Sequence, residues 1–404
     1  MAFDRQILQR LAAQYAACAY SDRNLNNMLL HRQVNDLKGP RPILLIDEIP
    51  WQEMDWEGEL TLQCQDPFYR EMEWYFRTWL YKWRHLPADM VLPPFYGVAK
   101  RVSFQGIGIQ FAYDQRDKAE ASAHLFADQL QTEEDLEKLH NDRVFYDQEA
   151  SLRDLEKAAD VLQGVLPVKL AGFPILGCTT WDDIVRYRGL DSLFYDLVER
   201  PDFVHRMVDK LTDIYLDRVR QLEELNLFEA NAFYLHCTAG LTNGLHPETE
   251  QVGAKDVWGR GTAQIFASVS PDMHDEFDIQ YMKRAMEPFG LVYYGCCEPL
   301  DKKIHIVEQL PHLRKISITP WANVDSAAEQ IGSRYVLAAK PNPACMADSS
   351  LDEDAARKEL RRIVSACKRN GCSCDIVLKD ITTVCRRPQN LFRWQEIAME
   401  EVQR

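Results

Sequence analysis

The chain has 404 residues, 46% of them hydrophobic and 27% charged, with a net charge of −15. That balance is ordinary for a folded globular protein, and the acidic excess excludes nucleic-acid and anionic-membrane partners, which need a basic surface. No segment approaches the roughly 20 apolar residues of a membrane span.

In chain order, MAFDRQILQRLAAQYAACAY carries an early acidic residue and reads as an amphipathic helix instead of a secretory leader, so a cytoplasmic location is expected. Residues 1–40 form a helical extension closed by Gly39-Pro40. R-P-I-L-L-I-D-E-I-P-W (Arg41 to Trp51) is a short apolar run closed by acids and proline, the pattern of a buried parallel strand. The aromatic-rich stretch from Pro67 to Trp83 predicts a helix, and the region 41–165 is read as this first strand plus a mainly helical insertion. Thr132 precedes three acidic residues and predicts a helix start.

From Leu166 the pattern becomes regular. L-P-V-K-L-A-G-F-P-I-L-G, A-N-A-F-Y-L-H-C, T-A-Q-I-F-A-S, G-L-V-Y-Y-G-C-C, R-K-I-S-I-T-P-W, R-Y-V-L-A-A-K-P-N-P and C-D-I-V-L-K-D-I read as seven strands with helices between them. Ser270-Pro271 opens one of those helices, and another stops at Gly332. With Ile43 to Ile49 the count is eight. The expectation is a single (β/α)8 TIM barrel whose core is 166–404, with chemistry where the strands end.

Those strand ends supply Asp47, Glu48, Cys178, His236, Cys237, Gln264, Ser268, Cys296, Cys297, Glu298, Trp321, Lys340, Asn342, Lys379 and Asp380. Thiolate, imidazole and carboxylate together suit zinc. Alternation along a strand points Cys296 and Cys297 to opposite sides, which assigns Cys297 to the cavity. The eleven cysteines are odd in number and irregularly spaced, so they are expected to be free thiols. Cys18, Cys64, Cys345, Cys367 and Cys385 read as plain core or surface residues. Cys372 and Cys374 fall at the strand's entry, away from the chemistry.

Four stretches, beginning at T-E-E-D-L-E-K-L, L-P-V-K-L-A-G-F-P-I-L-G with P-D-F-V-H-R-M-V-D-K-L, T-A-Q-I-F-A-S-V-S-P-D-M-H-D-E-F and G-S-R-Y-V-L-A-A-K-P-N-P, resemble the uroporphyrinogen decarboxylase superfamily. After the first strand the decarboxylase carries paired arginines, where this chain reads I-D-E-I-P-W-Q-E-M. The resemblance therefore implies the zinc- and cobalamin-dependent methyltransferase branch. There the usual H-x-C falls on Gly295 and Cys297, and the third ligand falls near Ile381, beside Asp380. The implied metal set is Cys297 with His236, Glu298 and Asp380. The implied cofactors are zinc and a cobalamin carried by a partner corrinoid protein. Asp380, Glu298 and Lys379 are the expected catalytic groups, and Tyr294, Gln264, Trp321, Lys340 and Asn342 the expected substrate contacts, with Tyr293 as a further apolar wall. The rival readings are a metal-free decarboxylase or lyase using Lys340, Lys379 or Asp380, and a non-catalytic binding protein.

Overall fold

The computed structural model describes residues 2–55, 57–111 and 126–404. Seven strands form one sheet: β1 (Ile43–Ile46), β2 (Ile175–Cys178), β3 (Trp258–Gly261), β4 (Leu291–Tyr294), β5 (Leu313–Ile318), β6 (Val336–Ala339) and β7 (Cys374–Leu378). Every pairing is parallel, in the order β1-β7-β6-β5-β4-β3-β2. Among the described residues no ladder joins β1 to β2. The protein is thus an α/β fold built on a seven-stranded parallel sheet.

Both faces of the central strands are buried, which is why β1, β4 and β6 read as unbroken apolar runs. On the outer face Leu44, Val292, Ile316, Leu337 and Ile376 pack against helices 280–286, 324–331, 353–370 and 388–402. Their neighbours Ile43, Val336 and Val377 turn inward, against Leu30, Val34 and Ala239. Trp258, Leu291, Tyr293 and Ala338 also turn inward, onto Ala232, Leu235 and Leu245. The cover on the inner side therefore comes from helix Asp22–Asn35 and from the segment 232–245.

Two expected strands take other forms. A-N-A-F-Y-L-H-C lies outside the main sheet. It starts a hairpin in which Tyr234–Leu235 pairs antiparallel with Thr238–Ala239, turning through Cys237 at φ +51°. T-A-Q-I-F-A-S is a 3-10 turn at Gln264–Ser268, and the strand before it is W-G-R-G. A side chain at Gly259 would sit 2.7 Å from the Phe289 ring, so the glycine is what lets that ring close on the sheet. L-P-V-K-L-A-G-F-P-I-L-G divides in two: Val168–Ala171 pairs with Tyr96–Ala99, and only Ile175–Cys178 joins the main sheet. The 41–165 region carries the long helix Pro67–His85 as expected, together with strands at 96–99, 101–104 and 144–147. The helix opened by Thr132 is a single turn, Glu133–Leu136, with the Asp135 carboxylate accepting from the Thr132 amide at 2.9 Å.

The hairpin is fixed to the sheet by charge. Lys315 on β5 and Asp375 on β7 are both fully buried and 2.7 Å apart. The Lys315 ammonium also donates to Thr238 Oγ1 and to the Ala239 carbonyl, each at 2.8 Å, and Thr238 donates to Asp375. Asp375 is fully desolvated, yet Lys315 and Lys340 hold it below the usual carboxylate range. All eleven cysteines are free thiols, and no helix of the described residues is long and apolar enough to cross a membrane. Removing one partner of a buried ion pair strands the other charge, at a cost of about 3–5 kcal/mol. Lys315→Met should lower stability to urea by that amount; a loss under about 1 kcal/mol would mean that the pair does not hold the hairpin.

Candidate active site

Strand parity builds the site. Lys315 and Asp375 face inward, so the inward positions just past β6 and β7 are Lys340 and Lys379. Both line a cavity of about 390 Å³ at the C-terminal end of the sheet, with Cys296, Cys297, Trp321, Asn342 and Asp380. Lys340 donates to the Cys237 carbonyl at 2.5 Å, a second tether on the hairpin turn. That tether places the exposed His236 over the rim, with Nε2 3.8 Å from Cys296 Sγ.

The two neighbouring cysteines do not point apart. Strand β4 ends at Tyr294, and Gly295 follows at φ +100° with Leu300 and Ser317 pressed close, a conformation and a space that exclude a side chain. This turn breaks the alternation. It brings the sulfurs of Cys296 and Cys297 within 3.6 Å of one another, both onto the cavity. The expectation that only Cys297 would face it is corrected.

Lys379 sits between the anions. Its Nζ is 3.9 Å from each sulfur, 2.8 Å from Asp380 Oδ2 and 3.7 Å from Glu48 Oε2. Glu48 also accepts from the Asp380 amide at 3.0 Å, with both residues at positive φ. Cys297 Sγ lies 4.0 Å from Asp380 Oδ2. Hydrogen bonding from Cys297 pulls the Cys296 thiol well below its ordinary value against the opposing effect of burial, and His236, Lys379 and Arg260 add to the pull. The same contact pushes Cys297 up. The opposite directions of the two shifts are those of two thiols joined through one S–H, an arrangement that favours a shared thiolate. Burial works to raise Asp380, but Lys379 and Glu48 hold it below the carboxylate range. The lysine is itself raised by Asp380 and the thiols despite its burial.

Six of the expected residues lie elsewhere. Glu298 is fully buried, and its carboxylate accepts from Thr262 Oγ1 at 2.9 Å, the Ala263 amide at 3.1 Å and the Cys296 amide at 3.0 Å. Burial pushes its pKa up, and the carboxylate, engaged with these three donors, braces the cysteine loop outside the cavity lining. Tyr294 turns to the outer face, where its hydroxyl donates to Asp278 at 2.6 Å and lies 2.7 Å from His274 Nε2. Tyr293 is buried on the inner face. Gln264 donates to Asp182 at 3.2 Å and is not part of the cavity wall. Trp321, 72% exposed, and Asn342, which caps the turn Pro343–Ala347, do line the cavity. Cys178 is buried in the outer core and Ser268 is exposed away from the cavity.

Sequence reasoning missed Arg260 and Asp182, whose charges reach Cys296. Arg260 belongs to β3, a strand hidden by its two glycines. Asp182 is on helix Thr180–Arg188 and carries no local signal. A second donor group shares the histidine: ligand atoms of Glu48, His236 and Cys237 all lie within 4.8 Å of one another.

No family model and no curated protein matches this chain. Among solved structures it is similar to a methyltransferase from Methanosarcina mazei, at 11% identity and a TM-score of 0.48, with 93% of this chain and 97% of that chain covered.

A thiol near pKa 8.5 gains about tenfold in alkylation rate per pH unit below that value, because only the thiolate reacts. The peptide carrying Cys296 and Cys297 should instead be labelled by iodoacetamide at a nearly constant rate from about pH 6 to 8. Cys297→Ala, which removes the hydrogen bond that does most to lower the Cys296 thiol, should restore the steep dependence at Cys296. A tenfold rise per pH unit in the unsubstituted protein would refute the shared thiolate.

Proposed function

We propose that this protein is a methyltransferase of the uroporphyrinogen decarboxylase superfamily, moving a methyl group between a corrinoid protein and a small molecule at the thiol-lined cavity. This reading takes the parallel sheet as the greater part of a (β/α)8 barrel, in which the C-terminal strand ends carry the chemistry. The observation that carries it is the spacing of the soft donors. Zinc bound at about 2.3 Å to sulfur and 2.0–2.1 Å to nitrogen in a tetrahedron sets its ligands about 3.8 Å apart for two sulfurs and about 3.6 Å for sulfur and nitrogen. Cys296 lies 3.6 Å from the Cys297 sulfur and 3.8 Å from His236 Nε2. Cys296 joins the expected set in place of Glu298, and a zinc ion there needs Cys297 and His236 to close around it, because the donors whose ligand atoms already lie within 4.8 Å of one another are Glu48, His236 and Cys237.

Such an ion would lower the pKa of an acceptor thiol and make its thiolate abundant near neutral pH. The chain's own groups prepare that step. The hydrogen-bonded thiols favour a thiolate, the Lys379 ammonium 3.9 Å from each sulfur balances it, and Asp380 accepts a proton or a hydrogen bond at the cavity mouth. Trp321 offers an apolar wall over which a corrinoid protein can dock. The acidic groups at the cavity mouth, Glu48 and Asp380, disfavour a polycarboxylate such as a porphyrin.

One observation favours a second reading, proton transfer without a metal. The Lys379 ammonium already occupies the space among both sulfurs and Asp380, and a dication there must displace it. Elemental analysis separates the two. Protein purified with zinc supplied should hold about one zinc per chain, bound through its thiolates, and Cys296→Ala should lose it. The same variant should slow the loss of the methylcobalamin spectrum in the presence of a thiol acceptor at least a hundredfold. Protein that neither carries zinc nor takes it up on titration sinks the metal-assisted reading and leaves Lys379 and Asp380 as the proton-transfer pair.

A further inference from the structure

A second cavity, of about 180 Å³, lies on the other side of the hairpin turn and shares no lining residue with the first. It has the space of about six waters at their liquid volume of roughly 30 Å³ each, enough for a molecule the size of a small amino acid. Its wall is mainly apolar, with Leu45, Leu86, Met90 and Val377, and carries two charged residues, Asp47 and Lys82. Asp47 leaves the end of β1, and Lys82 comes from the long helix Pro67–His85.

Both residues are half-buried, and neither charge has a close partner within the protein. Among the described residues no hydrogen bond or ion pair reaches the Asp47 carboxylate or the Lys82 ammonium, and the two are not joined to each other. Lys82 touches only the Trp79 ring, with Nζ 5.7 Å from its centroid. Burial draws the lysine below its ordinary value, and Asp47 works against that. A ligand that enters this cavity displaces the water around both charges, so it must answer each of them. The same wall carries an aromatic corner: Trp79 and Tyr234 have ring centroids 5.6 Å apart and tilted by 41°. The Tyr234 hydroxyl is already committed to the backbone of Val91, at 2.6 and 2.8 Å, so it offers the ligand its ring and not its oxygen.

We propose that this cavity binds a small zwitterion, an α-amino acid or its N-methylated relative, with the cationic nitrogen against Asp47 and the aromatic corner and the carboxylate on Lys82. Each requirement comes from a different wall. An anion alone leaves Asp47 stranded, a cation alone leaves Lys82 stranded, and an uncharged molecule strands both. The rings favour an alkylated cation, which binds well over an aromatic face. The proposal does not rest on the transfer reaction, because binding here needs neither metal nor corrinoid.

Calorimetric titration of the whole protein with glycine betaine and with L-valine tests it, using isobutylamine and isobutyrate as singly charged controls. Each zwitterion should bind at least tenfold more tightly than either control. Asp47→Asn and Lys82→Met should each weaken it about tenfold or more, the scale of one charge-assisted hydrogen bond, with melting curves to confirm that both variants fold. The comparison of ligands on the unsubstituted protein stands even if a variant does not. The proposal is overturned if the zwitterions bind no better than the controls, or if their preference survives both substitutions.

Discussion

Everything at the functional end of this molecule depends on lysines that face the inside of the sheet. Lys315, Lys340 and Lys379 occupy inward positions on or just beyond three adjacent strands, β5, β6 and β7. The first, deep in the core, is neutralised by Asp375 and grips the hairpin at Thr238 and Ala239. The second takes the Cys237 carbonyl. The hairpin turn is therefore suspended from two ammonium groups, and that suspension decides where His236 stands. A buried lysine without such partners would lose its charge or unfold its surroundings. The tether and the cation need each other.

The third lysine has a different task. Lys379 is surrounded by two thiols and two carboxylates instead of carbonyls. A positive charge in a partly desolvated cleft acts more strongly on its neighbours than it would in water, which is how two thiols can share a thiolate beside an ionised Asp380. Glu298 contributes from below by accepting the Cys296 amide, so the loop that carries the thiols cannot relax away from the lysine. The same ammonium sets up a competition: the anionic pocket it stabilises is also the pocket a dication would want. Whether the site works through a metal or through the lysine is a question of which cation wins.

The hairpin also separates two cavities of opposite character. On one side are thiols and a lysine engaged with its neighbours; on the other, Asp47 and Lys82 stand unpaired beside two rings. Asp47 and Glu48 are adjacent in sequence and serve different cavities, because successive residues leaving β1 diverge and Glu48 turns through φ +48° to reach the Asp380 amide.

The sequence by itself determined the parallel α/β character, the apolar cores of five sheet strands with each stretch running a few residues past the strand's end, and the gathering of thiol, lysine and acid beyond those ends. Those follow from local signals: apolar runs of strand length, helix caps, and parity. It could not place W-G-R-G in the sheet, because glycines carry no hydrophobic pattern; they are there for the Phe289 ring, which is far along the chain. It put A-N-A-F-Y-L-H-C into the sheet, because an apolar run over a sheet's inner face looks the same as a strand within it. Only the tertiary structure decided that Cys296 and Cys297 meet, that Glu298 and Tyr294 turn away, and that Lys82 faces Asp47. Each of those outcomes depends on a backbone turn or a packing partner distant in sequence, and no periodicity within a strand encodes either.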